Sequence, residues 1–250
     1  MAVGNLFFWF LYHFEIPFFE QFKAIPGDWP WNTNRKEWDK LMWKSIGLTF
    51  FNGFVLVTAT QVHILLGYDS HPWVMDSKKL PDPITYACSF AFFMLMEDFI
   101  FGMSHRMLHT KWLYQNVHKV HHQHIITVGI AGQYAHPIEY LFGNLVPTIM
   151  APFLLQGHCH MFTATSWFAF RDIENIEGHS GYEFPFSPFY LMPFGTGYGY
   201  HAFHHSENVG NYHSFFTTWD TIFGSNKVFY NWVKEQENED KERHLKTKQD

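Results

Sequence analysis

Charge is scarce in this chain. Only 16% of its 250 residues are Asp, Glu, Lys or Arg, against about 25% in ordinary soluble domains. That is too little to clothe a water-soluble surface of this size. The formal net charge is −6, and no basic patch of the kind that holds nucleic acid is present. Cysteine is nearly absent. Cys88 and Cys159 lie in apolar segments with no metal-type spacing, and read as buried thiols. A disulfide framework is therefore not expected, and any metal ligation must come from histidine. Nothing marks a boundary between two folded units. Residues 6–14 are apolar but lack a preceding basic region and a small-residue cleavage site, so no cleavable signal peptide is expected.

Aromatic residues are abundant, at 20%, and there are 18 histidines. The mean hydropathy of −0.17 is pulled down by His, Trp and Tyr and hides long apolar runs. Residues 45–67, SIGLTFFNGFVLVTATQVHILLG, contain no Asp, Glu, Lys or Arg. At about 1.5 Å per residue they span the roughly 30 Å hydrocarbon core with some tilt. A polar, Pro-rich connection, residues 71–83, leads to a second apolar run, 84–103, carrying Glu97 and Asp98 near its end. Acidic groups there are costly in lipid and should face protein or the interface. A third stretch, 141–170, has no formally charged residue before Arg171. It is too long for one straight span, and Pro147, Pro152 and the Gln156–Gly157 break predict a hairpin of two helices. Phe7, Phe8, Trp9, Phe10 and Tyr12 suit an interfacial aromatic anchor. The expected architecture is an all-α integral membrane protein. An interfacial segment covers 1–44, a membrane-embedded catalytic domain 45–233, and a charged cytosolic tail 234–250.

Three clusters carry the chemistry. SHRMLHT places His105 and His109 four apart; VHKVHHQ gives His118, His121 and His122; YHAFHHS repeats that pattern as His201, His204 and His205. Offsets of three and four put side chains on one helix face, within reach of one metal ion or of neighbouring ions. The second and third clusters each offer two ligands to one metal and a third to another. His179, in GHSGYEFP, emerges beyond the third apolar stretch and joins the ligand set, and His136 and Asn175 are further candidates. Glu97 and Asp98 sit eight and seven residues before His105 and are candidates for orienting ligating imidazoles. The remaining histidines, His13, His63, His71, His124, His158, His160, His213 and His244, read as structural or surface residues. The aromatic run 184–200 is expected to form part of a substrate channel or lid, or a membrane-interface belt.

At these boxes the sequence resembles the fatty acid hydroxylase/sterol desaturase superfamily of membrane oxygenases. The matching stretches are EDFIFGMSHRMLH, LYQNVHKVHHQH, YAHPIEY, GHSGYEFPFSPFY and HAFHHSENVGNYHSFFTTWD, over roughly residues 93–223. The HSGYEFP element and the GNY…TTWD tail tilt the likeness toward the C-4 methyl sterol oxidase branch. The resemblance implies two iron ions, for which zinc can substitute in a purified form, and dioxygen as co-substrate. It implies oxidation of a sterol C-4 methyl group, with electrons from NAD(P)H through cytochrome b5 or its reductase. It also implies a multi-pass protein of the endoplasmic reticulum with its boxes on the cytosolic side, beside other enzymes of sterol C-4 demethylation. The tail motif KTKQD, with Lys246 and Lys248, is similar to a dilysine retrieval signal of that membrane. Two departures bear on substrate and regiochemistry: HHSEN lacks the further His or aromatic residue expected after the pair, and the chain is short at its N-terminus. Sphingoid-base C-4 hydroxylases, other sterol hydroxylases or desaturases, and alkane-forming aldehyde enzymes remain open alternatives. A non-enzymatic zinc-binding or transport protein is a further one.

Overall fold

A computed structural model describes residues 2–25, 27–59, 62, 73–76, 78–189 and 192–247, without the side chains of 198, 240 and 243–247. His63, His71, Lys248 and most of residues 60–72 lie outside the described residues, as do the side chains of His244 and Lys246. The described residues are helical and contain no strand, only three isolated β-bridges. The principal helices are α1 (Ala2–Phe14), α2 (Arg35–Phe50), α3 (Pro83–Leu108), α4 (Val146–Leu155), α5 (Met161–Gly178), α6 (Gly197–Glu207), α7 (Thr218–Phe223) and α8 (Lys227–Thr247).

Three segments are long and apolar enough to cross a membrane: Arg35–Ala59, Pro83–Leu108 and Pro137–His158. Their boundaries follow from local chemistry. Asn34 caps α2 by accepting from the Glu37 amide, and Asp82 caps α3 by accepting from Ile84 and Thr85, with Pro83 at the first position. α2 runs on as a π-helical turn, Phe51–Leu56, whose Asn52 is buried and donates to the carbonyls of Gln133 and Ala135. Pro152 inside α4 has no N–H for the carbonyl of Thr148, one turn earlier. The indole of Trp167, on α5, donates to that carbonyl instead, at 2.9 Å.

The predicted hairpin is present. α4 ends at Gln156, whose φ of +41° breaks the helix, and α5 starts after His160, whose ring accepts from the Phe162 amide. The returning arm turns polar at Arg171 and ends at His179. One apolar core joins Phe93 of α3, Ala151 of α4, and Ala164 and Trp167 of α5 with Cys159 and Phe215. A second gathers Phe8 and Leu11 of α1 against Trp29, Ile176, Tyr182 and Phe184. α1 thus docks on the end of α5, while Phe7, Trp9 and Phe10 stay exposed. Cys88, expected to be buried, is exposed; it lies on the outer face of an apolar span, where burial means lipid rather than protein. From residue 234 to residue 247 the charged tail is helical, as the end of α8.

Candidate metal centre

The returning arm and the end of α3 bring nine imidazoles to one place. α3 presents His105, and His109 caps its C-terminus. His118–Gln123 winds as a 3-10 helix bearing His118, His121 and His122. His179 caps the end of α5, and α6 carries His201, His204 and His205. Ring nitrogens of His105, His109, His118, His122 and His204 lie within 4.8 Å of one another, and those of His121, His179, His201 and His205 form a second such group. The second box therefore divides two and one between the groups, and the third box one and two.

In the first group the Nε2–Nε2 separations are 3.2 Å for His105–His118, 2.9 Å for His109–His118, 3.0 Å for His118–His122 and 3.1 Å for His109–His204. In the second they are 2.8 Å for His179–His201 and 3.1 Å for His201–His205. The opposite ring nitrogens explain why the Nε2 atoms converge. The Nδ1 atoms of His105, His121, His179, His204 and His205 face the carbonyls of Tyr212, Tyr134, Asn175, Gly210 and His124, at 2.6–3.1 Å. A carbonyl only accepts, so Nδ1 holds the proton and Nε2 keeps its lone pair. Gly210 has a φ of +63°, and a Cβ there would fall 1.9 Å from the Ser225 carbonyl oxygen, so only glycine presents that acceptor to His204.

One imidazole is held differently. Nδ1 of His118 lies 2.7 Å from Oε1 of Glu139, a buried carboxylate. Sequence reasoning missed this residue. Its one signal is an isolated acid at the head of the third apolar stretch, three residues after His136. His136 itself lies outside both groups; its ring accepts from the Ile138 amide at 3.2 Å and starts the helix. Asn175 donates through its side chain to the Gly132 carbonyl at 3.1 Å. Its backbone carbonyl meets the ligand set at His179 Nδ1.

Glu97 and Asp98 do not hydrogen-bond the grouped imidazoles. Seven residues of helix rise about 10 Å, so a shared face does not bring these carboxylates to His105. Glu97 instead takes Arg171 Nε at 2.6 Å and the Ser214 hydroxyl at 3.1 Å, and Asp98 takes the amides of Phe215 at 2.8 Å and Phe216 at 3.2 Å. Both pin the loop whose Tyr212 carbonyl holds His105, so their influence on that ring is indirect. His213 packs in the same loop, with Nδ1 3.3 Å from Asp220. His124 is buried, with its Nε2 2.8 Å from the Ser45 hydroxyl.

Burial strips these rings of water and opposes their protonation. It pushes His109 and His121 down to about 4 and His122 to about 2, with neighbouring imidazoles adding to the effect at His109 and His122. His118, His179, His201, His204 and His205 are held well below the usual imidazole range for the same reason. Neutral rings with free lone pairs are what a metal requires. A cavity of about 20 Å³ touches both groups, bounded by Phe101, Leu108, Gly143 and Asn144. A second, of about 60 Å³, reaches His179 and His201 between Phe101 and the run 184–197, through Phe184, Phe189 and Met192. Arg171, Glu174 and Glu177 form its polar wall.

The fatty acid hydroxylase family profile matches residues 90–225. The chain is 43% identical over 157 residues to very-long-chain aldehyde decarbonylase GL1-8 of Oryza sativa subsp. indica, covering 62% of this chain and 57% of that one. It is 38% identical over 164 residues to methylsterol monooxygenase 2-2 of Arabidopsis thaliana, covering 64% and 60%. It is 39% identical over 170 residues to methylsterol monooxygenase 1-1 of the same plant, covering 66% and 56%. The chain thus spans between half and two thirds of the length of these relatives. No solved structure matches it.

Proposed function

The chain belongs to the fatty acid hydroxylase family, and on that premise we propose that it is a di-iron membrane oxygenase acting on a C-4 methyl group of a sterol. The observation that carries this reading is the convergence of five and four neutral imidazoles on two adjoining centres. Five donors exceed the four of a closed tetrahedral zinc site. The donor nitrogens of each group, one per ring, all lie within 4.8 Å of one another, with six pairs of Nε2 atoms at 2.8–3.2 Å, close enough for each group to share one ion.

In this reading His105, His109, His118, His122 and His204 hold one iron, and His121, His179, His201 and His205 the other. Bound iron supplies the redox chemistry with dioxygen that an unactivated C–H bond demands. The protein's own residues do the rest. Backbone carbonyls fix the tautomers, Glu139 steadies His118, and the apolar walls of Phe101, Leu108, Phe184 and Phe189 exclude water beside the reacting methyl group. Lys and Arg favour the cytosolic face. Arg35, Lys36, Lys40 and Lys44 occupy the opening turns of the first apolar segment, and Arg106, Lys111 and Lys119 lie beside the boxes, which supports a cytosolic site in the endoplasmic reticulum membrane. Electrons come from NAD(P)H through cytochrome b5 or its reductase. Residues 45–233 form the catalytic domain, with 1–44 as its interfacial flank and 234–250 as a cytosolic tail.

The 43% identity to an aldehyde decarbonylase favours one second reading, conversion of a very-long-chain aldehyde. A transporter is disfavoured, because the histidines cluster at the ends of spans rather than along a mid-membrane path. The test is to express the full chain with its electron donors and measure iron content and turnover of 4-methyl sterols beside very-long-chain aldehydes. Two irons per chain and oxidised 4-methyl sterol are expected. Full activity in an iron-free, zinc-replete protein would sink the di-iron reading, and turnover of the aldehyde alone would replace the sterol.

A further inference from the structure

The cavity of about 60 Å³ beside His179 and His201 is apolar on one side, through Phe184, Phe189 and Met192, and polar on the other. It holds about four water-sized groups, enough for the functional end of a substrate and too little for a whole sterol. The polar wall belongs to α5, where Arg171, Glu174 and Gly178 follow one another at helical spacing before His179. Arg171 is 6% and Glu174 9% exposed. Two carboxylates, Glu97 and Glu174, share this one guanidinium. Stripping three such charges of water is costly, and apolar packing would avoid it, so fold stability alone does not account for the group.

The free valences of the wall are specific. Nε of Arg171 donates to Glu97 and Nη1 to Oε2 of Glu174. The rings of Phe101 and Phe215 flank the guanidinium, with centroids 5.5 and 5.6 Å from its central carbon, and hold it in place. Among the described residues neither Arg171 Nη2 nor Glu174 Oε1 has a protein partner. Oε1 lies toward the ligand end of α5, since a Cβ on Gly178 would stand 3.9 Å from it. Other polar side chains of the lining are engaged. Tyr182 donates to Glu20, Thr196 to the Ser214 carbonyl, Ser214 to Glu97 and Asn175 to the Gly132 carbonyl. Glu177 and Glu183 are only half-buried, where water competes for them. The wall thus offers one charged donor and one charged acceptor, about 7.5 Å of helix rise from His179.

A neutral hydroxyl donates and accepts at one oxygen, so it satisfies both. A ketone or aldehyde oxygen only accepts; it can take Arg171 but leaves Glu174 Oε1 facing its lone pairs. Under the sterol reading, on which this inference rests, a hydroxyl is available in the right place. It sits on C-3, the carbon next to C-4, three bonds from the methyl carbon that reacts. We propose that Arg171 and Glu174 bind this substrate hydroxyl, Oε1 accepting its hydrogen bond and Nη2 donating to its oxygen, and so place the C-4 methyl group at the second histidine group.

The test compares two probes, a 4,4-dimethyl sterol and the corresponding 3-ketone. Their dissociation constants are measured on the full chain in lipid nanodiscs, loaded with zinc so that nothing turns over. Burial raises Glu174 to about 7 against the pull of Arg171, so the buffer is at about pH 8, where the carboxylate is ionised. Wild type should bind the alcohol at least about tenfold more tightly than the ketone, and Glu174→Gln, which turns an acceptor into a donor, should bring that ratio to about one or invert it. Zinc content equal to wild type checks the fold. Where Glu174→Gln loses metal, Glu174→Asp is read on the same ratio; it keeps the charge facing Arg171 but draws the acceptor back, and should also lose the preference. Equal affinity of wild type for the two probes, or a ratio unchanged in the variant while both affinities fall together, overturns the assignment and leaves the sterol reading standing. Binding of neither probe, beside binding of a very-long-chain aldehyde, removes the sterol reading and this inference with it.

Discussion

The two histidine groups differ in number and in what stands behind them. The first gathers five imidazoles, and one of these, His118, is backed by a buried carboxylate. The second gathers four, and the acceptors behind His121, His179 and His205 are all main-chain carbonyls. The larger cavity reaches the second group through His179 and His201. A set of five donors leaves fewer coordination positions open than a set of four. Under the proposed function, the first group is built for retention of its metal and the second for exchange at open positions.

That contrast can be broken most severely by removing ligands. His201→Ala leaves the second group three donors, and His204→Ala leaves the first group four. Both should abolish activity, by more than the roughly 10–100-fold that a change behind a ligand costs. Metal analysis should find His201→Ala the poorer binder. Full retention of activity in either variant, or in His121→Ala, removes that residue from the ligand set.

Acid should strip both groups. In the metal-free fold burial holds His109 and His121 near about 4, whereas a free imidazole titrates at about 6.5. As the pH falls through about 6.5 the unfolded chain takes up protons that the folded chain refuses until about 4, so stability declines across that window. Melting curves of metal-free protein should move to lower temperature between about pH 7 and about pH 5, and bound metal should dissociate over the same range. A flat profile would mean that the rings are not buried neutral.

Glu139→Gln is a finer probe. It should lower metal affinity at the first group by about 10–100-fold and leave the second intact, as read by metal titration. Equal weakening of both would make the carboxylate a packing element. The smallest effect belongs to His136→Ala, which removes a helix cap and should cost about 1 kcal/mol or less in stability, with metal stoichiometry unchanged.

Much of this is legible in the sequence because histidine is chemically specific and helical spacing is geometric. The apolar runs, the break at Gln156 and the three boxes are all local signals. Glu139 is not legible, since its partner His118 lies 21 residues away in the chain, and only packing of the helix start against the 3-10 turn joins them. Glu97 and Asp98 mislead for the opposite reason: they share a helix with His105, but the rise along the axis separates them. His124 reads as a stray ring. Its contact with His205 is made by a backbone carbonyl, which any residue carries, so residue type does not disclose it.

Five of the nine imidazoles take their orientation from peptide carbonyls. All but the Gly210 carbonyl survive exchange of the side chains that bear them, provided the backbone keeps its course. Sequence drift at Tyr212, Tyr134, Asn175 or His124 can therefore proceed without retuning the ligands, and side-chain mutagenesis will undercount the groups that set their basicity. Replacing the relevant amides by esters, which weakens each carbonyl as an acceptor, is the substitution that would expose this hidden half of the coordination environment.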